Sequence, residues 1–242
     1  MLGAMVHLSI TTKGCERVKS LKRSSDRKVA ASLTEKGTIR VANSFGLPSG
    51  REYSCPGATS VCERVCYAGK LEKVYKGVRE ALLHNWDLVK DSTREQIFVL
   101  LDDMLTEFEA ECDRKGADKK FRIHWDGDFF NSEYTRAWAW VIGSHPDIQF
   151  WAYTRNTEAA EILRGIPNLT IYFSGDSENI HLAPAGVPVA MLADTFGLAR
   201  EAVGRGAMCP EQRGQIPLNG ACVSCDICLK GKTNVLFSIS KK

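Results

Sequence analysis

Apolar residues recur at three- and four-residue steps through Leu71, Val74, Tyr75, Val78, Leu82, Trp86 and Val89, the period of an amphipathic helix. Ser92 followed by Glu95 reads as a capping box. It opens a second helix whose apolar face is Ile97, Leu100, Leu101, Met104, Leu105, Phe108 and Cys112. Upstream, Thr38–Ala42 has the composition of a short strand, and the glycines and prolines of Asn43–Gly57 predict a long loop. Downstream the pattern alternates. Strands are expected over Phe121–Asp126, Ile148–Thr154, Leu169–Ser174, Val187–Leu192 and Val235–Ile239, with helices over Asn131–Gly143, Asn156–Arg164 and Asp194–Gly204 between them. Short connections between alternating strands and helices imply right-handed crossovers and a parallel sheet. The fold expected is α/β, with six strands in an open or partial barrel.

The strands have two unlike faces. Phe121, Ile123 and Trp125 alternate with Arg122, His124 and Asp126; Ile148, Phe150 and Ala152 with Gln149, Trp151 and Tyr153; Leu169, Ile171 and Phe173 with Thr170, Tyr172 and Ser174. A parallel strand covered by helices on both sides is ordinarily apolar throughout. The polar-aromatic face therefore reads either as a lumen that receives a polar ligand or as buried polar groups satisfying one another. On the first reading His124 points to the polar face as a ligand or acid/base; on the second it is a satisfied interior histidine.

Residues 1–35 read as a basic N-terminal arm and 36–242 as one domain that includes a cysteine-rich segment at 205–232. Lys13–Arg40 holds nine Lys/Arg against three Asp/Glu, a terminal face that is either merely solvated or in contact with phosphates. A net charge of +3 alone names no nucleic-acid partner. No window approaches the roughly 18 apolar residues that cross a bilayer, so no membrane is expected. The start lacks a signal peptide's basic and apolar regions. Nine cysteines without a secretion signal point to a reducing compartment, hence the cytoplasm, and to metal or catalytic thiols.

Cys222, Cys225 and Cys228 form a C-x2-C-x2-C run of the kind that wraps a cubane iron–sulfur cluster, and Cys209, followed by Pro210, supplies a fourth thiolate. Zinc is the alternative metal, although its sites usually use two separated cysteine pairs. Cys55, Cys62 and Cys66 form a C-x6-C-x3-C group without a local fourth ligand. This fits a cubane with one open iron, a site completed from elsewhere, or convergence of both groups on one cluster. Cys112 reads as a core thiol and Cys15 as incidental.

The stretch Cys-Pro-Gly-Ala-Thr-Ser-Val-Cys-Glu-Arg-Val-Cys-Tyr-Ala (55–68), His-Trp-Asp-Gly-Asp-Phe-Phe (124–130) and the C-terminal cysteines (209–228) resemble the Gene product 88 family of actinobacterial phage proteins. The resemblance covers about residues 36–240 and implies a phage protein acting in the host cytoplasm. More distantly, the layout is similar to the radical S-adenosylmethionine (SAM) superfamily. That likeness implies a TIM-like partial barrel, a [4Fe–4S] cluster held by three cysteines after the first strand, and SAM on the open iron. It would place Tyr67, Asp126, Gly127 and Asp128 at the cofactor, and make Cys209–Cys228 an auxiliary cluster. The spacing departs from the usual C-x3-C-x2-C, and Asp-Gly-Asp stands where Gly-Gly-Glu is usual.

The expectation is therefore an iron–sulfur protein with one or two [4Fe–4S] clusters, a redox or radical enzyme in which SAM is a candidate cofactor. The alternative is a non-catalytic iron–sulfur or zinc regulator that binds a host protein or nucleic acid. Asp126, Asp128, Thr154, Arg155, Ser174, Asp176 and Asp194 fall at strand ends, where parallel α/β folds bind ligands.

Overall fold

The computed structural model describes residues 20–240, apart from positions 27, 30, 35 and 36. Strands β1 (Ala31–Thr34) and β2 (Gly37–Arg40) pair antiparallel with each other. The strand expected over Thr38–Ala42 thus belongs to a small ribbon outside the main sheet.

Helices α1 (Ser60–Val65), α2 (Tyr67–Val74), α3 (Lys76–Val89) and α4 (Arg94–Lys115) follow. The single helix expected through Leu71–Val89 is divided at Tyr75, whose extended backbone ends α2 and begins α3. The capping box of α4 is Thr93 with Gln96. Ser92 fails to cap because its hydroxyl donates back to the Leu88 carbonyl at 2.7 Å, closing the end of α3 instead.

The alternation then holds: β3 (Lys120–Ile123), α5 (Ser132–Ser144), β4 (Gln149–Thr154), α6 (Thr157–Leu163), β5 (Leu169–Gly175), β6 (Val189–Ala193), α7 (Phe196–Val203). Of the two candidate caps for α5, Asn131 and Ser132, it is Asn131 that caps, and Asn156 caps α6 as its position predicts. An unforeseen strand β7 (Gly206–Met208) precedes the short helices α8 (Ala221–Cys225) and α9 (Ile227–Lys230), and β8 (Asn234–Ser238) closes the described chain. The main sheet has six strands in the order β3-β4-β5-β6-β8-β7, every neighbouring pair parallel. Parallel α/β architecture is therefore present, but β3 and β7 stand at opposite ends, and among the described residues the pairing does not close into a barrel.

The predicted loop at Asn43–Gly57 begins as something more ordered. Phe45 N–H donates to Arg122 O (3.1 Å), Trp125 N–H to Phe45 O (2.9 Å) and Leu47 N–H to Asp126 O (3.0 Å), and Ser44 bridges Arg122 in the parallel sense. Asn43–Leu47 therefore runs along the free edge of β3 and leaves it at the same end of the sheet.

Helices α4, α5 and α6 bury the apolar face: Phe121, Ile123, Phe150, Ala152, Ile171 and Phe173 join Met104, Phe108, Trp138 and Leu163 in one core. The opposite face is not the open lumen its polarity allowed. Trp151 and Tyr172 are buried beneath Val29, Leu229 and the cysteine segment. Gln149 and Thr170 donate side-chain hydrogen bonds to the Leu229 carbonyl (3.3 and 2.7 Å), and Tyr172 donates to Thr233 O (3.2 Å). Burying a ring of this size contributes about 3 kcal/mol, so this cover is structural. The arm also contributes: Leu21 and Val29 are buried, and Ser24 pairs with Ser44.

Candidate functional site

The edge segment Asn43–Leu47 delivers the chain to the carboxyl end of the sheet, where the first cysteine group begins. Ser54 anchors that loop by donating to Pro48 O (2.7 Å) and accepting from Asp128 N–H (3.3 Å). Gly127 makes the approach possible. Its φ is +82°, and a Cβ there would stand 2.4 Å from Ser54 Oγ and 2.8 Å from Leu47 O. Gly57 has the same role against the Arg155 carbonyl, 2.9 Å from where its Cβ would be.

Thr59 starts α1: its hydroxyl accepts from Cys62 N–H (3.0 Å) and donates to Asp176 Oδ2 (2.5 Å). Arg155 Nη1 donates to the same oxygen at 2.6 Å, so Asp176, fully buried, ties β5 to the cysteine loop. Cys66 caps α2, its sulfur accepting from Gly69 N–H at 3.3 Å. Tyr67 donates to Trp125 O at 3.0 Å. Cys62 is within electrostatic reach of Arg155, Cys66 and Asp128, and Cys55 of Asp128 and Asp126. Burial pushes the Cys55 thiol well up, with the Asp128 carboxylate adding to it; burial also raises Cys62, and Arg155 opposes the rise.

The two aspartates of the Asp-Gly-Asp turn differ. Asp128 is occupied by the protein itself, accepting from Phe129 N–H (2.7 Å), Thr154 Oγ1 (2.7 Å) and Arg155 N–H (2.8 Å). Burial nevertheless raises it to about 6. Asp126 Oδ1 accepts from Gly127 N–H, and the rest of its buried carboxyl group faces that of Glu72. Burial and the adjacent Glu72 carboxyl raise Asp126 to about 9, so it is neutral at pH 7. Glu72 in turn accepts from the Ser49 backbone and hydroxyl.

His124 departs from the alternation. Its φ of +58° ends β3 and turns the ring away from the polar face, to pack with Phe45, Phe129, Tyr134 and Trp138. Nε2 lies 2.8 Å from Tyr134 Oη, and burial lowers the imidazole to about 3. It is a neutral interior group and not a member of the cysteine site. Ser174 and Asp194 also stand apart. Their backbone carbonyls bind Asn179 and Ser238.

The second group is built differently. Cys209 continues β7, its N–H donating to Leu236 O at 3.1 Å. Cys222 and Cys225 lie on α8, and left-handed Asp226 (φ +61°) breaks the helix before Cys228 on α9. The thiols sense one another: Cys228 acts on Cys222, and Cys209 on Cys225 and Cys228. Burial raises Cys222 to about 12 and Cys228 to about 11. Cys112 is the core thiol its helix position predicts.

Arg122 lies between Tyr67 and the second group. It donates to Asp26 Oδ2 (3.2 Å), approaches Tyr67 Oη (3.4 Å), lies over Tyr153 and acts electrostatically on Cys222. Nothing in its local sequence marks it beyond its place on the polar-aromatic face, and Thr59 and Glu72 carried no sequence signal at all.

The donor chemistry suits a thiophilic metal or cluster. Raised thiols are neutral when metal-free, so a metal would displace their protons. Among the described residues no group of three or more His, Cys, Asp or Glu side chains is placed to hold a single metal ion. A cubane spreads its thiolates over several irons, so its ligands need not converge on one point.

The fold and site define a parallel α/β protein with one cysteine group at the carboxyl rim of its sheet and another in the segment covering the sheet face. Residues 19–231 match the Gene product 88 family, and the chain belongs to that family. It is 47% identical over 236 residues to the Gene 88 protein of Mycobacterium phage L5, covering 92% of this chain and 99% of that one. It is 46% identical over 238 residues to the Gene 88 protein of Mycobacterium phage D29, with the same coverage. No solved structure matches. Among the described residues, no helix is long and apolar enough to cross a membrane.

Proposed function

We propose that this protein is an iron–sulfur protein of the host cytoplasm. Cys55, Cys62 and Cys66 would hold a reactive [4Fe–4S] cluster, and Cys209, Cys222, Cys225 and Cys228 a second one that staples the cover of the sheet. One observation supports the reading. The loop and helix starts that carry Cys55, Cys62 and Cys66 gather around the Asp-Gly-Asp turn at the carboxyl end of a parallel sheet, with buried Asp126 near Cys55. Such a cluster supplies one-electron chemistry, and an incompletely ligated iron can take a small-molecule ligand such as SAM.

The chain's own residues would shape that position. Arg155 places positive charge beside Cys62, and neutral Asp126 offers a proton donor at the rim. Tyr67 fixes the start of α2 against the Asp-Gly-Asp turn. Asp128 holds the turn to β4.

Anaerobic purification followed by iron and acid-labile sulfide analysis tests the assignment; a colourless protein loaded with zinc would end it. Incubation with SAM and a reductant tests the radical-enzyme reading. Formation of 5′-deoxyadenosine supports it. A cluster whose EPR signal ignores SAM returns the protein to the regulator class.

A further inference from the structure

Outside the cysteine sites, the surface of α2 and α3 carries an unusual charge arrangement. Residues 70–79 contain four cations, Lys70, Lys73, Lys76 and Arg79, and all are exposed. The one acid in the stretch is Glu72. Its carboxylate is turned inward to accept from Ser49. Helical geometry produces this sorting. Lys70, Lys73 and Val74 are three and four residues apart and share the outer side of α2, while Ala68 and Glu72, four apart, share the inner one.

These cations are poorly neutralised. Among the described residues only Lys76 has a carboxylate within reach, Glu80 at 3.7 Å, and both side chains are largely in water, where such a pair is worth little. On α4, by contrast, Lys115 pairs with Glu111 at 2.6 Å. At the break between α2 and α3 the ring of Tyr75 is 56% exposed, next to Val74 at 70%.

We propose that this outer face of α2 and α3 binds single-stranded nucleic acid. The unpaired cations match a phosphate backbone, and the exposed Tyr75 ring is a platform for an unpaired base. A duplex would leave that ring idle, and an acidic protein surface would need the cations alone. The assignment is independent of any metal at the cysteines.

Fluorescence anisotropy of the full chain with labelled oligo-dT and oligo-U, titrated across salt concentrations, tests it, the two oligonucleotides separating DNA from RNA. Affinity should fall linearly on a log–log plot against salt. The triple variant K70Q/K73Q/R79Q should bind more weakly, with the slope reduced by about 2, given roughly 0.7 per lost phosphate contact. Tyr75→Ala should lose about tenfold in affinity with the slope unchanged. All four side chains are exposed, so thermal midpoints should stay at wild type and exclude misfolding. Wild-type affinity and slope in the triple variant would overturn the proposal. So would equal binding of blunt duplex or polyglutamate with no loss in Tyr75→Ala, which would mark a generic polyanion surface.

Discussion

The hydroxyl of Tyr67 donates a hydrogen bond to the carbonyl oxygen of Trp125 at 3.0 Å, joining the residue after Cys66 to the residue before the Asp-Gly-Asp turn. Two segments nearly sixty residues apart are thereby held in one register at the sheet rim. Tyr67→Phe removes the donor and leaves the carbonyl unpaired, and should lower stability by about 1 kcal/mol in urea denaturation. Iron retained per chain should fall in the same variant, if the bond positions Cys66 as well as the fold.

Arg122 and Asp26 form an ion pair at 3.2 Å with both side chains about seven-eighths buried. Breaking such a pair from one side leaves an uncompensated charge. Arg122→Gln should therefore cost about 3 kcal/mol, and Asp26→Asn in that background should cost less than it does alone. The double-mutant cycle, measured by chemical denaturation, isolates the coupling.

Asp126 makes stability depend on pH in a direction opposite to most carboxylates. Its folded value, raised by burial and by Glu72 to about 9, lies far above the value of about 4 expected in the unfolded chain. Between about pH 4 and 9 the unfolded chain binds fewer protons at this position than the native protein, so this contribution to stability falls as pH rises. Asp126→Asn keeps an acceptor for Gly127 N–H and cannot ionise. The urea midpoint of the variant relative to wild type should climb from pH 5 to pH 9. A constant difference would show that Asp126 does not titrate in this window.

Thr59 serves two partners, the N–H of Cys62 and the carboxylate of Asp176. Thr59→Ala should cost about 1–2 kcal/mol through the lost cap, with Thr59→Ser retaining most of it.

Cys62→Ser and Cys225→Ser separate two centres from one. With a cluster at each group, either variant should keep roughly half of the wild-type iron, since each cluster needs its own set of thiolates. A single shared cluster would lose nearly all of it in both variants.

Local pattern was enough to locate much of this architecture. The apolar spacing of α4, the asparagine caps of α5 and α6, and strands β4, β5, β6 and β8 follow from backbone periodicity and short-range hydrogen bonds, which a sequence displays directly. So did the presence of two cysteine groups, because ligand spacing is itself a sequence property.

Other features depend on partners far along the chain. Asn43–Leu47 has the composition of a loop and runs along the sheet edge only because β3 offers it hydrogen bonds. His124 belongs by alternation to the polar face, but its left-handed backbone turns it into the helical core. The aromatic face of β4 and β5 was compatible with a lumen until the Leu229 carbonyl of α9 accepted from Thr170 and Gln149 and the helix covered Trp151. The sequence alone determined the alternating α/β elements and the stock of thiols. Tertiary structure decided which strands pair, which face is sealed, and which cysteine stands near Asp126. Periodicity records how a residue sits on its own element, whereas burial and hydrogen-bond satisfaction depend on what another element brings to it.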